Sequence, residues 1–224
     1  MDLPILHPAT LAIRGSAERF PVRRIYCVGQ NYAEHAREMG GNPERTKPFF
    51  FSKPADAVVP TGSAIPYPSR TSDLHHEVEL VIALGGGGSN VAVGQAEALI
   101  FGHAVGIDLT RRDLQSEARK AGRPWDLAKG FDYSAPIGDL VPGAPPRAGR
   151  ISLTVDGAPR QKGDLADMIC NVAEIIAELS SYVALMPGDV IFTGTPAGVG
   201  PIQRGQLVRG EVEGLPAIEI RLAE

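Results

Sequence analysis

Apolar positions fall into short runs separated by glycine, proline and charged residues, not into long helical stripes. Residues 24–29 (RIYCVG) and 49–52 (FFFS) read as short buried strands. Residues 74–84 (LHHEVELVIAL) pass from polar to wholly apolar along one strand, which the glycines at 85–88 end. Residues 96–108 begin as a helix and run into a strand that stops at Asp108. Residues 150–155 alternate, and the Asp-Gly pair at 156–157 signals a hairpin. Residues 189–193 and two segments between 208 and 222 complete the strands. Three helices are predicted. One covers 32–39, with Asn31 as N-cap, Glu34 at capping-box spacing, and Gly40 and Gly41 as the stop. A second covers about 111–121, capped by Thr110 and closed by Gly122 and Pro124. The third covers 168–179 (MICNVAEIIAEL). The pattern describes an α+β chain, mostly β, with none of the βαβ alternation of a doubly wound sheet.

Composition narrows the class. A chain of 224 residues suits one domain with at most a small appendage. The 26 glycines and 19 prolines are scattered, as many short strands with tight turns require. A net charge of −4 argues against a nucleic-acid protein, which needs a basic face. Cys27 and Cys170 lie far apart in apolar contexts and read as reduced core residues. No apolar run approaches the ~18–20 residues of a membrane span, and the first residues lack a secretory pattern. The expectation is a soluble, cytoplasmic protein.

The chemistry concentrates on carboxylates. Glu77 and Glu79 are two apart, so on a strand they share a face just where the chain enters the core. Two unpaired acids there would repel strongly; either that end is in water or something positive lies between them. Asp108, at the end of another strand, is a third acid. Three converging carboxylates make an oxygen-only site suited to Mg²⁺ or Mn²⁺. His75 shares the glutamates' face and leaves a zinc reading open. His35 and Glu38 are i, i+3 on the first helix: a general-base pair, or a surface ion pair. Arg112 and Gln115 are likewise i, i+3 and could clamp a carboxylate, unless the helix is simply a mixed-charge surface. Lys129 follows an almost uncharged stretch and, if buried, needs a negative partner. Residues 192–200 (FTGTPAGVG) form a small-residue loop able to cradle an anion, without the signature of a P-loop.

The ordered segments GQNYAEHAREM, FFFSKPADAVV, LHHEVEL, GIDLTRRDLQ, GRPWDLAKGFD and GDVIFTGTPAGVG resemble the fumarylacetoacetate hydrolase family, in particular its small bacterial fumarylpyruvate hydrolases and acylpyruvases. The likeness spans about residues 20–222. It implies a mixed β-roll with flanking short helices, usually a homodimer, with residues 1–20 an N-terminal extension and 21–224 one catalytic domain. It implies that Glu77, Glu79 and Asp108 hold Mg²⁺ or Mn²⁺, that His35 and Glu38 activate water, and that Lys129 supports developing negative charge. Arg112, Gln115 and Thr195 would meet a small oxo-acid substrate. The implied reaction is C–C hydrolysis of an acylpyruvate, with fumarylpyruvate giving fumarate and pyruvate. Relatives that decarboxylate oxaloacetate, or interconvert its enol and keto forms, carry similar motifs; a non-catalytic ligand-binding protein is the remaining alternative.

Overall fold

The strand Val78–Leu84 is buried at every position, as its unbroken apolar run requires. In the computed structural model, which describes residues 7–40 and 47–224, it lies third in a six-stranded mixed sheet. The order across that sheet is Val141–Pro142, Ile100–Ile107, Val78–Leu84, Asp189–Phe192, Arg24–Gly29 and Phe49–Lys53. Asp189–Phe192 runs parallel to Arg24–Gly29, and the other pairs are antiparallel. A second, five-stranded sheet holds Ala158–Asp164, Arg150–Val155, Leu207–Val212, Ile218–Leu222 and Ser63–Ile65. Val78, Leu80, Ile82 and Leu84 share a core with Ile151, Leu153, Val208, Ile218 and Ile220 of the second sheet. The helix Val172–Tyr182 adds Ile175, Ile176 and Leu179 to it. The opposite face presents Val81 and Ala83 to a second cluster containing Cys27, Val190 and Phe192. Each large apolar side chain buried this way contributes about 1.5–3 kcal/mol. The central sheet is therefore pinned on both faces and makes a rigid base for the acids at its end.

The α+β, mainly antiparallel architecture agrees with the strand-rich pattern, and most segments lie where expected. Asp156 (φ 49°) and Gly157 (φ 78°) both adopt the left-handed backbone that a two-residue hairpin needs. Of the stretch 1–20 expected as an extension, the described residues from Thr10 onward are stitched to the domain. Thr10–Ala12 pairs with Arg19–Pro21, and Leu11 and Phe20 enter the second cluster. Cys27 and Cys170 are both buried thiols. No helix among the described residues is long and apolar enough to cross a membrane.

Two caps are corrected. The first helix, Ala33–Glu38, starts after Tyr32 without a side-chain cap. Asn31 instead is buried and ties two segments together: its amide donates to the carbonyls of Cys170 and Thr193 and its Oδ1 accepts from the Cys170 N–H. Of the two glycines expected to stop this helix, Gly40 takes φ +68°, while Gly41 lies outside the described residues. Thr110 does not cap the helix Arg112–Lys120; it lies in the short strand Thr110–Arg111 and its hydroxyl accepts from Lys129. The third helix begins at Val172 instead of 168, because Asn171 and Glu174 form a full capping box.

The run 74–84 is also two strands, not one. Leu74–His76 joins a small sheet with Thr110–Arg111 and Gly200–Pro201, and the chain re-enters the main sheet at Val78. Glu77 is the break, and its carbonyl accepts the N–H of Asp108 (2.8 Å). Ladder pairing of Val78 with Ile107 continues from that bond, so the sequence-distant Asp108 arrives beside the glutamates.

His76, fully buried, places Nδ1 3.0 Å from Gln161 Oε1, which can only accept. The neutral ring thus carries its proton on Nδ1, and Nε2 has no partner among the described residues. Burial lowers the His76 pKa to about 4, against the weaker opposing effect of the Gln161 hydrogen bond. Because the folded pKa lies below that of the unfolded chain, this stability is present above about pH 6.5 and lost as pH falls toward 4, by up to about 3 kcal/mol. His76→Asn, which keeps a donor toward Gln161, should flatten urea stability between pH 6.5 and 4 relative to the parent; unchanged pH dependence would remove His76 from the acid transition.

Candidate active site

Glu77, Glu79 and Asp108 each offer an oxygen, all within 4.8 Å of one another, and all three residues are buried. The alternative of a solvated strand end is thereby excluded, and positive charge is what balances them. Lys129 Nζ donates to Glu77 Oε2 (2.9 Å), Asp108 Oδ2 (2.7 Å) and Thr110 Oγ1 (2.6 Å), which uses all three of its protons. Arg112 donates to Glu77 Oε1 and to Gln115 Oε1. Lys53, which the sequence reading passed over, is wholly buried, with Nζ 2.8 Å from Asp108 Oδ1. Two of its three protons go to the carbonyls of Leu109 and Lys129; Asp108 Oδ1 has this ion pair but no aligned hydrogen bond among the described residues, and keeps a lone pair for a ligand.

The charges are unequally compensated. Burial alone would raise the Glu77 carboxyl, but Lys129 and Arg112 overcome it and hold Glu77 below the ordinary carboxylate range. Glu79 receives one hydrogen bond, from the Gly194 N–H (2.6 Å). Burial first, then the charges of Asp108 and Glu77, push its carboxyl well above the ordinary value. Burial works against the Lys129 charge, and Asp108 and Glu77 outweigh it, raising its pKa. The donor set fits a hard divalent cation: all oxygen, one lone pair orphaned, one carboxylate uncompensated, and an ammonium already lodged between two of the acids. His75 does not join it. Its Nε2 lies 2.9 Å from Asp73 and its Nδ1 accepts from Arg112 Nε (3.3 Å), so the zinc alternative loses its nitrogen ligand.

A cleft opens over Glu77 and Glu79, and His35, Arg112, Gln115, Lys129 and Thr195 all line it. The helix Ala33–Glu38 places His35 Nδ1 3.1 Å from Glu38 Oε2. Glu38 also accepts from the Gly198 N–H at 3.2 and 3.3 Å, docking the helix onto the 192–200 loop. Gln30, entering this helix, has a left-handed backbone (φ 55°) and lines the same cleft, the kind of strain that gathers at functional sites. Gly194 is required twice: its φ is +101°, and a Cβ there would lie 2.6 Å from that of Asn31.

Thr195 reaches the cleft, but its hydroxyl donates to the Val78 carbonyl (2.8 Å) and accepts from Gln161 Nε2 (2.8 Å). With that proton committed, its backbone N–H is the donor it can offer a ligand. Gln161, another residue absent from the sequence reading, is buried on the otherwise exposed strand Ala158–Asp164 and also binds Val78 N–H and Pro196 O. It clamps the loop to the strand that carries Glu79. The signal was faint: one polar residue in a polar hairpin strand. Phe49, Phe51 and Trp125 wall the outer cleft, with Trp125 edge-on to Phe49 at 5.4 Å.

Residues 24–223 match the family model described as fumarylacetoacetate hydrolase, C-terminal. A fumarylpyruvate hydrolase from Pseudomonas aeruginosa, whose crystal structure is in complex with Mn²⁺ and pyruvate, is 51% identical; the match covers 99% of this chain and 98% of that one, with a TM-score of 0.95. A fumarylpyruvate hydrolase from a Ralstonia species is 45% identical over 77% of this chain and 91% of its own length. An oxaloacetate tautomerase of Escherichia coli is 41% identical over 86% of this chain and 89% of its own.

Proposed function

The chain belongs to the fumarylacetoacetate hydrolase family, and from that premise we propose that it is a divalent-metal-dependent hydrolase that cleaves the C–C bond of acylpyruvates, fumarylpyruvate first among them. The observation that carries this reading is the docking of the His35–Glu38 pair beside the cleft lined by Glu77 and Glu79, which cluster with Asp108. Glu77, Glu79 and Asp108 hold the ion, Mg²⁺ or Mn²⁺. When bound there, the ion supplies Lewis-acid stabilisation of negative charge developing on a substrate oxygen.

This chain's own residues do the rest. Glu38 orients the imidazole of His35, which takes a proton from water. The hydroxide adds to the distal carbonyl, the C–C bond breaks, and its electron pair leaves with the pyruvate half as an enolate. Lys129, inside hydrogen-bonding distance of two of the acids, adds positive charge beside that enolate. Protonation yields pyruvate, and the acyl half leaves as a carboxylic acid. Gln115 spends its Oε1 on Arg112, leaving the amide N–H groups for substrate, and Thr195 offers its backbone N–H in the same cleft. The reading includes a homodimer in the cytoplasm and a place in aromatic-ring breakdown through gentisate.

Similarity to the E. coli tautomerase supports a second reading, enol–keto exchange of oxaloacetate, which needs proton transfer but no water addition. One plate separates them: fumarylpyruvate and oxaloacetate in parallel, with Mg²⁺ or Mn²⁺ and a chelator control, following enol absorbance and pyruvate release. Rapid, chelator-sensitive pyruvate release is expected from fumarylpyruvate. His35→Ala should lower that rate about 10²–10⁴-fold while metal binding persists. Exchange of oxaloacetate without hydrolysis would move the protein to the second reading.

A further inference from the structure

We propose that Arg119 forms a subsite at the outer end of the cleft for a second carboxylate, so that the protein selects acylpyruvates whose acyl chain ends in an acid group. The inference rests on the acylpyruvate reading and adds the residue that sets terminal charge and chain length.

The helix Arg112–Lys120 lines the cleft with Arg112, Gln115, Ser116 and Arg119. Spacings of three, four and seven residues place all four on one helix face. At the inner end Arg112 is bonded to Glu77 of the acid cluster. Seven residues further on, about 10 Å along the axis, comes Arg119. In a seven-carbon acylpyruvate, five carbon–carbon bonds of about 1.5 Å each separate the 2-oxo carbon from a terminal carboxyl carbon. With the oxygens at both ends added, such a chain is comparable in length with the rise from Arg112 to Arg119.

Charge points the same way. Among the described residues lining the cleft, the cations Arg112 and Lys129 are both committed to carboxylates. Arg119 is exposed, and its one hydrogen bond is from Nη1 to the carbonyl of Met39 (2.7 Å). No described carboxylate lies within ion-pair distance of it, so the rest of its planar fork is available for a carboxylate. The aromatic walls Phe49 and Trp125 line the same cleft and suit a flat unsaturated chain. Met39 follows the helix of His35 and Glu38, so a diacid held by Arg119 also meets the residue that grips the end of that helix.

Binding tests this without turnover. With Mn²⁺ present, calorimetry compares 2-oxoheptanedioate with 2-oxoheptanoate; neither has the 4-oxo group that cleavage needs. The parent should bind the diacid at least about tenfold more tightly. Arg119→Gln should remove that preference and leave 2-oxoheptanoate affinity unchanged. No preference in the parent, or equal weakening of both ligands by Arg119→Gln, overturns the proposal; the latter would make Arg119 a brace for the Met39 turn. Because neither ligand is cleaved, these outcomes are independent of whether fumarylpyruvate is hydrolysed. As a kinetic check, Arg119→Gln should raise KM for fumarylpyruvate about tenfold with kcat nearly unchanged, and spare a methyl-ended acylpyruvate.

Discussion

Replacing Lys129 by methionine is expected to destabilise the metal-free protein by about 3–5 kcal/mol, because two buried carboxylates lose their shared counter-charge. For a chain of this length that lowers the thermal midpoint by roughly 6–20 °C. Methionine keeps an unbranched side chain one atom shorter, and its terminal methyl can still pack toward Phe51, over whose ring the ammonium lies 4.9 Å from the centroid. A saturating divalent cation should restore most of the lost midpoint, since it supplies the missing charge. Hydrolysis should stay down by about 10²–10³-fold even when metal is saturating. Calorimetry with and without Mn²⁺ reads the first effect and steady-state kinetics the second. A metal-free midpoint equal to the parent's would show that Lys129 does not balance these acids.

Glu79→Gln should act in opposite directions on stability and activity. In the metal-free protein Glu79 is the least compensated acid, held by one backbone N–H and crowded by Asp108 and Glu77. A glutamine keeps the acceptor for Gly194 and turns N–H groups toward the remaining carboxylates. The variant should gain about 1–2 kcal/mol without metal, or roughly 2–8 °C. It should lose at least about 100-fold in affinity for Mn²⁺ and about 10²–10³-fold in turnover. The pH dependence carries the same signature. A carboxyl whose folded pKa is raised contributes stability below its unfolded value and loses it as pH rises through the folded one. The Glu79 contribution to the metal-free parent should therefore decline from the ordinary carboxylate range upward, opposite in sign to that of His76, and Glu79→Gln should remove that decline. A variant less stable than the parent without metal would contradict the charge assignment.

Much of the site was legible because strand and helix periodicities are local. Glu77 and Glu79 at i, i+2, His35 and Glu38 at i, i+3, and Arg112 and Gln115 at i, i+3 declare shared faces without tertiary information. Asp108 was legible as a strand end, but its partner strand was not; the Asp108 N–H to Glu77 carbonyl bond fixes that meeting. The misplaced caps share one cause. Asn31 and Thr110 have the chemistry of helix caps, yet tertiary partners claimed their side chains: two distant carbonyls for Asn31, and the Lys129 ammonium for Thr110. Lys53 and Gln161 were invisible because a buried lysine or glutamine is defined by what surrounds it. Lys53 ends an aromatic strand that sequence marks as core, and Gln161 sits among surface residues of a hairpin.

Lys53, Arg112 and Lys129 bring positive charge to Glu77 and Asp108, and among the described residues Glu79 alone of the three acids has no cation partner. Most of the positive charge that holds these acids in the core is therefore part of the chain itself, and the metal-free protein is expected to fold. An ion is then expected to load onto a finished fold, not to drive folding. Stripping the ion with a chelator is expected to leave a folded protein that regains activity when the ion is returned.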